Sequence, residues 1–167
     1  MTGEPAAITV DTDQLAQFAR ILNDEAEPKK LRRELAKEMR GALQPAVQEA
    51  RSSINALAHT SQANPSPALG SSIARNIKAE VRLSGRSTGA RVKVKKLRNV
   101  RGFVNAPKLT NRDGWRHKVF GRDIWVEQRG KPDWFDDAMN DNKAHYQAAV
   151  MAVLNAWAAR IARRVGN

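Results

Sequence analysis

The chain has 167 residues, of which 41% are hydrophobic and 5% are aromatic, and its formal net charge at pH 7 is +12. This length and composition allow one ordinary domain with an apolar core and favour long amphipathic helices over an aromatic-rich β-sandwich. Because it has no cysteine, no long apolar run and no basic, apolar leader, we exclude disulfides, thiol catalysis and cysteine-ligated zinc, and we expect neither a membrane span nor export by a standard signal.

The first predicted element is a short helix in an N-terminal arm that spans residues 1–28. Asp11 can cap this helix, with Gln14 at the spacing of a capping box, so we place it from about Thr12 to Leu22. A polar stretch follows, and Pro28 suits the first turn of a new helix. The sequence therefore predicts a break before Pro28 and a restart after it.

A long amphipathic helix over residues 29–60 opens the single α+β domain that we expect over residues 29–167. Its apolar side chains recur every three or four positions, so they share one face. Those residues are Leu31, Leu35, Met39, Leu43, Val47, Ala50, Ile54 and Leu57. Pro45 lacks a backbone donor and predicts a kink between Gly41 and Pro45, and the proline-containing segment 62–68 ends the helix.

A β-hairpin with a cationic outer face is predicted next, within a region of hairpin and loops over residues 73–130. Apolar and polar residues alternate from Ile77 to Leu83 and again around Val92 and Val94, which is the period of a half-buried strand. Between Arg75 and Arg122 there are fifteen Lys or Arg and only two acidic residues. The excess positive charge therefore lies in the middle third of the chain.

We predict that this cationic surface contacts DNA or an acidic protein partner. The predicted contact residues are Arg82, Arg86, Arg91, Lys93, Lys95, Lys96 and Arg98. No aromatic residue lies between Ala74 and Gly102 to stack on bases, so a nucleic acid would be bound through its backbone and without sequence preference. The alternative is that these cations only solubilise an exposed strand.

The remaining predicted elements are loops, one more strand and a C-terminal helix. The segment after the hairpin shows no clean period and predicts a loop, with a short strand at 102–106. A second loop carries the aromatic stretch 114–121, and residues 124–128 form a strand. We expect Asp133 to cap a helix over 133–165. The predicted fold class is therefore α+β, with the long N-terminal helix and the C-terminal helix packed on a small antiparallel sheet.

No catalytic, cofactor-binding or metal-binding residue is predicted. The three histidines, His59, His117 and His145, form no metal-binding motif, and the chain has no phosphate-binding glycine loop. The acidic residues at the start of the last helix are explained by its dipole. The enzymatic alternative is a small basic ribonuclease that uses His117 as an acid and Arg116 to stabilise charge.

Four short motifs resemble, in this order, those of a known family. They are LGSSI at 69–73, GWRHKVFG at 114–121, WVEQ at 125–128 and KPDWF at 131–135. With the helices before and after them, roughly over residues 30–165, the chain resembles the minor tail or tail-completion proteins of long-tailed bacteriophages, which sit at the head-to-tail junction. The resemblance implies an α+β fold, a ring that matches the symmetry of the tail, neighbours in the neck and the tail tube, and no catalysis.

The function we expect is that of a virion structural protein with no cofactor and no membrane contact. It would join the neck to the tail tube and let DNA pass, after assembly in the cytoplasm of the bacterial host. A tail terminator ring is the alternative within this class, and a sequence-independent DNA-binding protein is the alternative outside it. The residues predicted to serve as a subunit interface or structural joint are Trp115, Arg116, His117, Phe120, Trp125, Trp134 and Phe135.

Overall fold

The computed structural model describes residues 12–57, 67–98, 103–118 and 122–165, and the predicted α+β fold class is confirmed. The helices are α1 (Thr12–Ile21), α2 (Pro28–Ala42), α3 (Gln44–Ala56), α4 (Pro67–Arg75), α5 (Ala106–Thr110), α6 (Trp134–Asn140) and α7 (Lys143–Val165). The strands are β1 (Ile77–Arg82), β2 (Gly89–Val94), β3 (Gly114–Lys118) and β4 (Trp125–Arg129). They form two antiparallel two-stranded sheets, β1 with β2 and β3 with β4, so the predicted packing of two helices on one sheet is not confirmed.

The chain separates into two compact units, each built from segments that are not contiguous in sequence. The helical unit comprises the described residues 12–46, 79–92 and 142–165. The hairpin unit, named after the hairpin of β3 and β4, comprises the described residues 47–57, 67–78, 93–98, 103–118 and 122–141. The predicted division into an arm over 1–28 and a domain over 29–167 stays a prediction.

The core of the helical unit includes the interface between α2 and α7, which pack against each other. The two helices bury apolar side chains at a spacing of three or four residues, as amphipathic helices do. These residues are Leu31, Leu35, Met39, Tyr146, Val150, Leu154, Trp157 and Ile161. Beside this core, the carboxylate of Glu38 on α2 accepts two hydrogen bonds from the guanidinium of Arg160 on α7, at 3.1 and 3.4 Å.

The hairpin unit has its own core, to which α3, α4 and α6 contribute. Its fully buried side chains include Ala50, Ile54, Ile73, Ile77, Leu97 and Trp134. The rings of Trp134 and Phe135 meet edge to face, with 5.5 Å between their centroids. Both aromatic residues at the start of α6 therefore hold the core of this unit.

The first long helix predicted from the sequence is interrupted. The helix expected over 29–60 is divided into α2 and α3 at Leu43, inside the segment where Pro45 predicted a kink. The segment 62–68 was expected to be non-helical throughout, but α4 already begins at Pro67, and residues 62–66 lie outside the described part. Proline suits the first turn of a helix because its missing N–H is not needed there.

The prediction of one continuous C-terminal helix over 133–165 is wrong, because residues 141–142 separate α6 from α7. The backbone carbonyl of Asn142 accepts a 3.1 Å hydrogen bond from the N–H of Tyr146, which is the first hydrogen bond of a new helix. The side chains of Asp and Asn compete with helical hydrogen bonds to the backbone. Asp141 and Asn142 therefore favour a helix end over a helix interior.

Asp133 does not cap α6 as predicted. It precedes the helix with a left-handed backbone, φ 56°, and its side chain makes no capping hydrogen bond. Asn111 supplies the cap instead, because its Oδ1 accepts from the backbone N–H of Phe135 at 3.0 Å and its Nδ2 donates to Asp136 at 3.1 Å. The capping residue is 24 positions away from Phe135, so no local pattern predicts it.

The prediction of a loop over 114–121 is wrong for residues 114–118, the described part, because they form β3. Its residues pair with β4 in a regular antiparallel register, with Trp115 opposite Gln128, His117 opposite Val126 and Lys118 opposite Trp125. The short strand predicted at 102–106 is also wrong, because Ala106 begins α5 and no strand lies within residues 103–106.

Candidate anion-binding site

A cluster of five cations surrounds one open depression of about 840 Å³ in the hairpin unit. This cationic depression is lined by Ser72, Arg75, Asn76, Lys93, Val94, Lys95, Lys96, Leu97 and Arg98. None of the described residues that line it is acidic. All the charged side chains among these lining residues are therefore cationic, which favours the binding of an anion.

The end of α4 and the residues after β2 are joined by Asn76, which brings the cations together. The backbone N–H of Lys95 donates to the carbonyl of Asn76 at 3.0 Å, and the side-chain Nδ2 of Asn76 donates to the carbonyl of Ser72 at 2.8 Å. Arg75, the last residue of α4, donates to the hydroxyl of Ser72 at 3.3 Å. Arg75 thereby lines the same depression as Lys95, which comes twenty positions later in the sequence.

Arg51 of α3 fixes the turn between α4 and β1. Its Nε donates to the carbonyl of Ala74 at 3.1 Å, and its Nη2 donates to the carbonyl of Ile77 at 3.2 Å. A guanidinium that binds two backbone carbonyls holds their relative position well, because its donors have a fixed planar geometry. Arg51 is thus a positioning residue for this site.

The seven predicted contact cations do not lie together. Lys93, Lys95, Lys96 and Arg98 line the cationic depression. The other three predicted cations belong to the helical unit and do not line the cationic depression; they are Arg82, Arg86 and Arg91.

The carboxylate of Glu80 binds two of the other cations. Arg91 lies at 2.8 Å from it and Arg82 at 3.5 Å. Arg82 also donates to the hydroxyl of Ser87 at 2.8 Å. Two of the seven predicted contact cations are therefore ion-paired with a carboxylate outside the cationic depression.

Arg75 and Asn76 were missed by sequence reasoning. They precede β1 and fall outside the alternating pattern of the hairpin, which is why they were not grouped with its cations. The available signal was Arg75 itself, since it is the first of the fifteen basic residues in the middle third of the chain.

One face of the β3–β4 sheet carries a half-buried aromatic cluster. The ring of Phe103 lies edge-on to Trp115, at 6.3 Å between centroids, and to His117, at 5.0 Å. The Nδ1 of His117 donates to the carbonyl of Lys118 at 3.0 Å, so its Nε2, 3.3 Å from the Nε2 of Gln128, accepts in the neutral ring. These contacts place two residues of the predicted structural joint, Trp115 and His117, in one cluster.

The opposite face of the same sheet is exposed and basic. The guanidinium of Arg116 and the ammonium of Lys118 lie 5.6 and 5.5 Å from the centroid of the Trp125 ring, within the range of cation–π contacts. Of the other predicted joint residues, Trp134 and Phe135 are buried in the hairpin unit, and Phe120 lies outside the described residues. The predicted joint residues are therefore divided between an exposed face, a half-buried face and a core.

The described residues contain no group of three or more His, Asp or Glu side chains that could hold a metal ion. His145 contacts the ring of Tyr146 at 5.8 Å, and His59 lies outside the described part of the chain. Within the described residues, none of the helices combines the length and the hydrophobicity that a transmembrane span requires.

An α+β protein with a cationic depression is what the fold and the site define. Comparison with family models, with curated proteins and with solved structures found no match to this chain.

Proposed function

We propose that this chain is a non-enzymatic structural protein of the head-to-tail junction of a long-tailed bacteriophage. It forms a ring that joins the neck to the tail tube, and its cationic depression contacts the sugar–phosphate backbone of DNA that passes through the ring. The observation that carries the DNA contact is the convergence of Arg75, Lys93, Lys95, Lys96 and Arg98 on one concave surface. Assignment to this class of virion protein rests on the order of the four sequence motifs.

The chemistry of the depression fits a polyanion. Neutralisation of phosphates by Lys and Arg releases condensed counterions, which is the main source of affinity in sequence-independent DNA binding. None of the described residues that line the depression is aromatic, so they offer no platform for unpaired bases. Duplex DNA presents its phosphates outward and needs no such platform, so the duplex backbone is the better ligand.

Particles assembled with Lys95→Glu/Lys96→Glu protein test this contact. We expect joined heads and tails that lose DNA more readily than wild-type particles, because two attractive phosphate contacts become repulsive. The matched control is Lys37→Glu/Lys143→Glu, which makes the same charge change at two exposed residues of the helical unit. Failed joining of heads and tails would show that the depression meets an acidic neck protein, and unchanged DNA retention would also contradict the proposal.

The genes that flank this coding sequence test the class independently. A portal, neck or tail-tube gene beside it supports a junction protein, and a tail-tube gene without neck genes supports the tail terminator ring. Flanking genes of unrelated bacterial metabolism would contradict both assignments.

The second candidate function is a sequence-independent DNA-binding protein that forms no ring. The same cationic depression favours it, because backbone contacts alone suffice for such binding. Native mass spectrometry distinguishes the two functions. A purified chain that binds mixed-sequence duplex DNA and stays monomeric under all conditions favours this candidate.

A further inference from the structure

The hairpin unit has a second open depression, of about 280 Å³, next to the cationic depression. Among the described residues it is lined by Arg51, Asn55, Ser71, Ala74 and Arg75, none of which is acidic. Arg75 also lines the cationic depression. The two depressions therefore share one guanidinium.

Two helices supply the polar side chains of the second depression in the same way. Residues four positions apart lie on one face of a helix, which places Arg51 with Asn55 on α3 and Ser71 with Arg75 on α4. The amide of Asn55 and the hydroxyl of Ser71 can both donate hydrogen bonds, and both residues are exposed. Each helix thus contributes one guanidinium and one neutral donor.

The two guanidiniums keep their positive charge although both make hydrogen bonds within the chain. Arg51 donates to the carbonyls of Ala74 and Ile77 through Nε and Nη2, and neither bond uses its Nη1. Arg75 donates to the hydroxyl of Ser72. These partners are all uncharged, so the bonds leave both positive charges uncompensated.

We propose that the DNA backbone continues from the cationic depression over Arg75 into the second depression, where Asn55 and Ser71 donate hydrogen bonds to a phosphate. Guanidinium groups match the geometry of phosphate oxygens, and neutral polar side chains are common phosphate contacts. One strand of duplex DNA carries a charge about every 3.4 Å along the helix axis, so a single strand can supply phosphates to both depressions. The inference rests on the proposed DNA contact and adds two binding residues to its site.

Asn55→Ala/Ser71→Ala tests this extended site by fluorescence anisotropy with mixed-sequence duplex DNA over a salt series. The variant loses two neutral donors and no charge, so binding should weaken about tenfold at every salt concentration while the salt dependence stays that of wild type. The matched control is Gln48→Ala/Ser52→Ala, which removes two exposed polar side chains of α3 that line neither depression. It should bind as wild type does.

Asn55→Lys/Ser71→Lys tests the same contact through a gain that misfolding would not produce. If a phosphate lies between these residues, two added cations should steepen the fall of the logarithm of the binding constant with the logarithm of salt concentration by about 2. Gln48→Lys/Ser52→Lys adds the same charge outside both depressions and should leave this slope unchanged.

Wild-type affinity of Asn55→Ala/Ser71→Ala, or equal slopes for the two lysine variants, overturns the extended site. The contact at Lys95 and Lys96 is measured with its own variants and survives either result. A wild-type chain that does not bind duplex DNA contradicts both the extended site and the proposed DNA contact.

Discussion

Gly130 lies where two backbone segments approach too closely for any side chain. A Cβ at this position would overlap the carbonyl oxygens of Arg112 and Thr110. The same segments are joined by hydrogen bonds from the N–H of Gly130 to Asp113, at 3.0 Å, and from that of Lys131 to Thr110, also at 3.0 Å. Gly130 therefore lets the chain after β4 lie directly against the segment that follows α5.

We predict that Gly130→Ala lowers the free energy of unfolding by about 2 to 4 kcal/mol, because backbone atoms must move to accept the methyl group. Gly41→Ala is the matched control, since no atom lies within 4 Å of a Cβ there and the residue is helical. That control should raise stability by about 0.5 to 1 kcal/mol. Urea denaturation followed by circular dichroism measures both, and equal effects of the two substitutions would contradict the steric account.

Asn111, which follows α5, holds the start of α6 through hydrogen bonds. It binds the backbone of Phe135 and the carboxylate of Asp136, and its carbonyl accepts from the N–H of Asp133 at 3.3 Å. The start of α6 is thus held by the segment after α5. An aspartate directly before an apolar helix predicts a local cap, and tertiary contact overrides that pattern here.

At the scale of elements, the contact between α2 and α7 includes an ion pair whose strength depends on pH. The hydrogen bond from Arg160 lowers the pKa of Glu38 below its ordinary value, against a smaller opposing effect of burial. A lowered pKa stabilises the fold at pH values above the unfolded pKa of glutamate, about 4.3. That stability is lost as the pH falls through the lower pKa of the folded state.

We predict that Glu38→Gln lowers stability at pH 7 by at most about 1 kcal/mol, because the Glu38 and Arg160 side chains are 40% and 48% exposed and solvent screens them. The loss of stability between pH 7 and pH 3 should be smaller in this variant than in wild type. Glu34→Gln on the same helix is the matched control. Urea denaturation at both pH values measures the effect, and an identical pH dependence in wild type and Glu38→Gln would count against the ion pair.

The elements that the sequence predicted well are those with strong local signals. Pro28 begins α2, and the alternating segments around Val81 and Val92 are β1 and β2. Strand β3 was missed although Trp115 and His117 alternate with Arg116 and Lys118, because the six residues between Gly114 and Gly121 also suit a loop. Its strand character depends on pairing with β4, and such pairing is not encoded locally.

At the scale of the whole molecule, the sequence shows that the excess positive charge lies in the middle third of the chain. The structure shows which of these cations line one depression. The cationic hairpin was predicted as one surface, but Glu80 binds Arg82 and Arg91, and Arg75 joins the other cations from a helix. Charge counts along the chain cannot show which cations are paired across strands or which helix end meets them. The division of the chain into two units was likewise not predictable, because each unit is built from segments that are distant in sequence.

The most direct test of the proposed DNA contact is the salt dependence of binding to mixed-sequence duplex DNA, measured by fluorescence anisotropy. The logarithm of the binding constant falls with the logarithm of salt concentration by about 0.9 per neutralised phosphate. We predict that Lys95→Ala/Lys96→Ala reduces this slope by about 2. Lys37→Ala/Lys143→Ala, which removes the same charge elsewhere, should leave the slope unchanged. Equal slopes for wild type and Lys95→Ala/Lys96→Ala, or an equal reduction in the control, would contradict a DNA contact in the cationic depression.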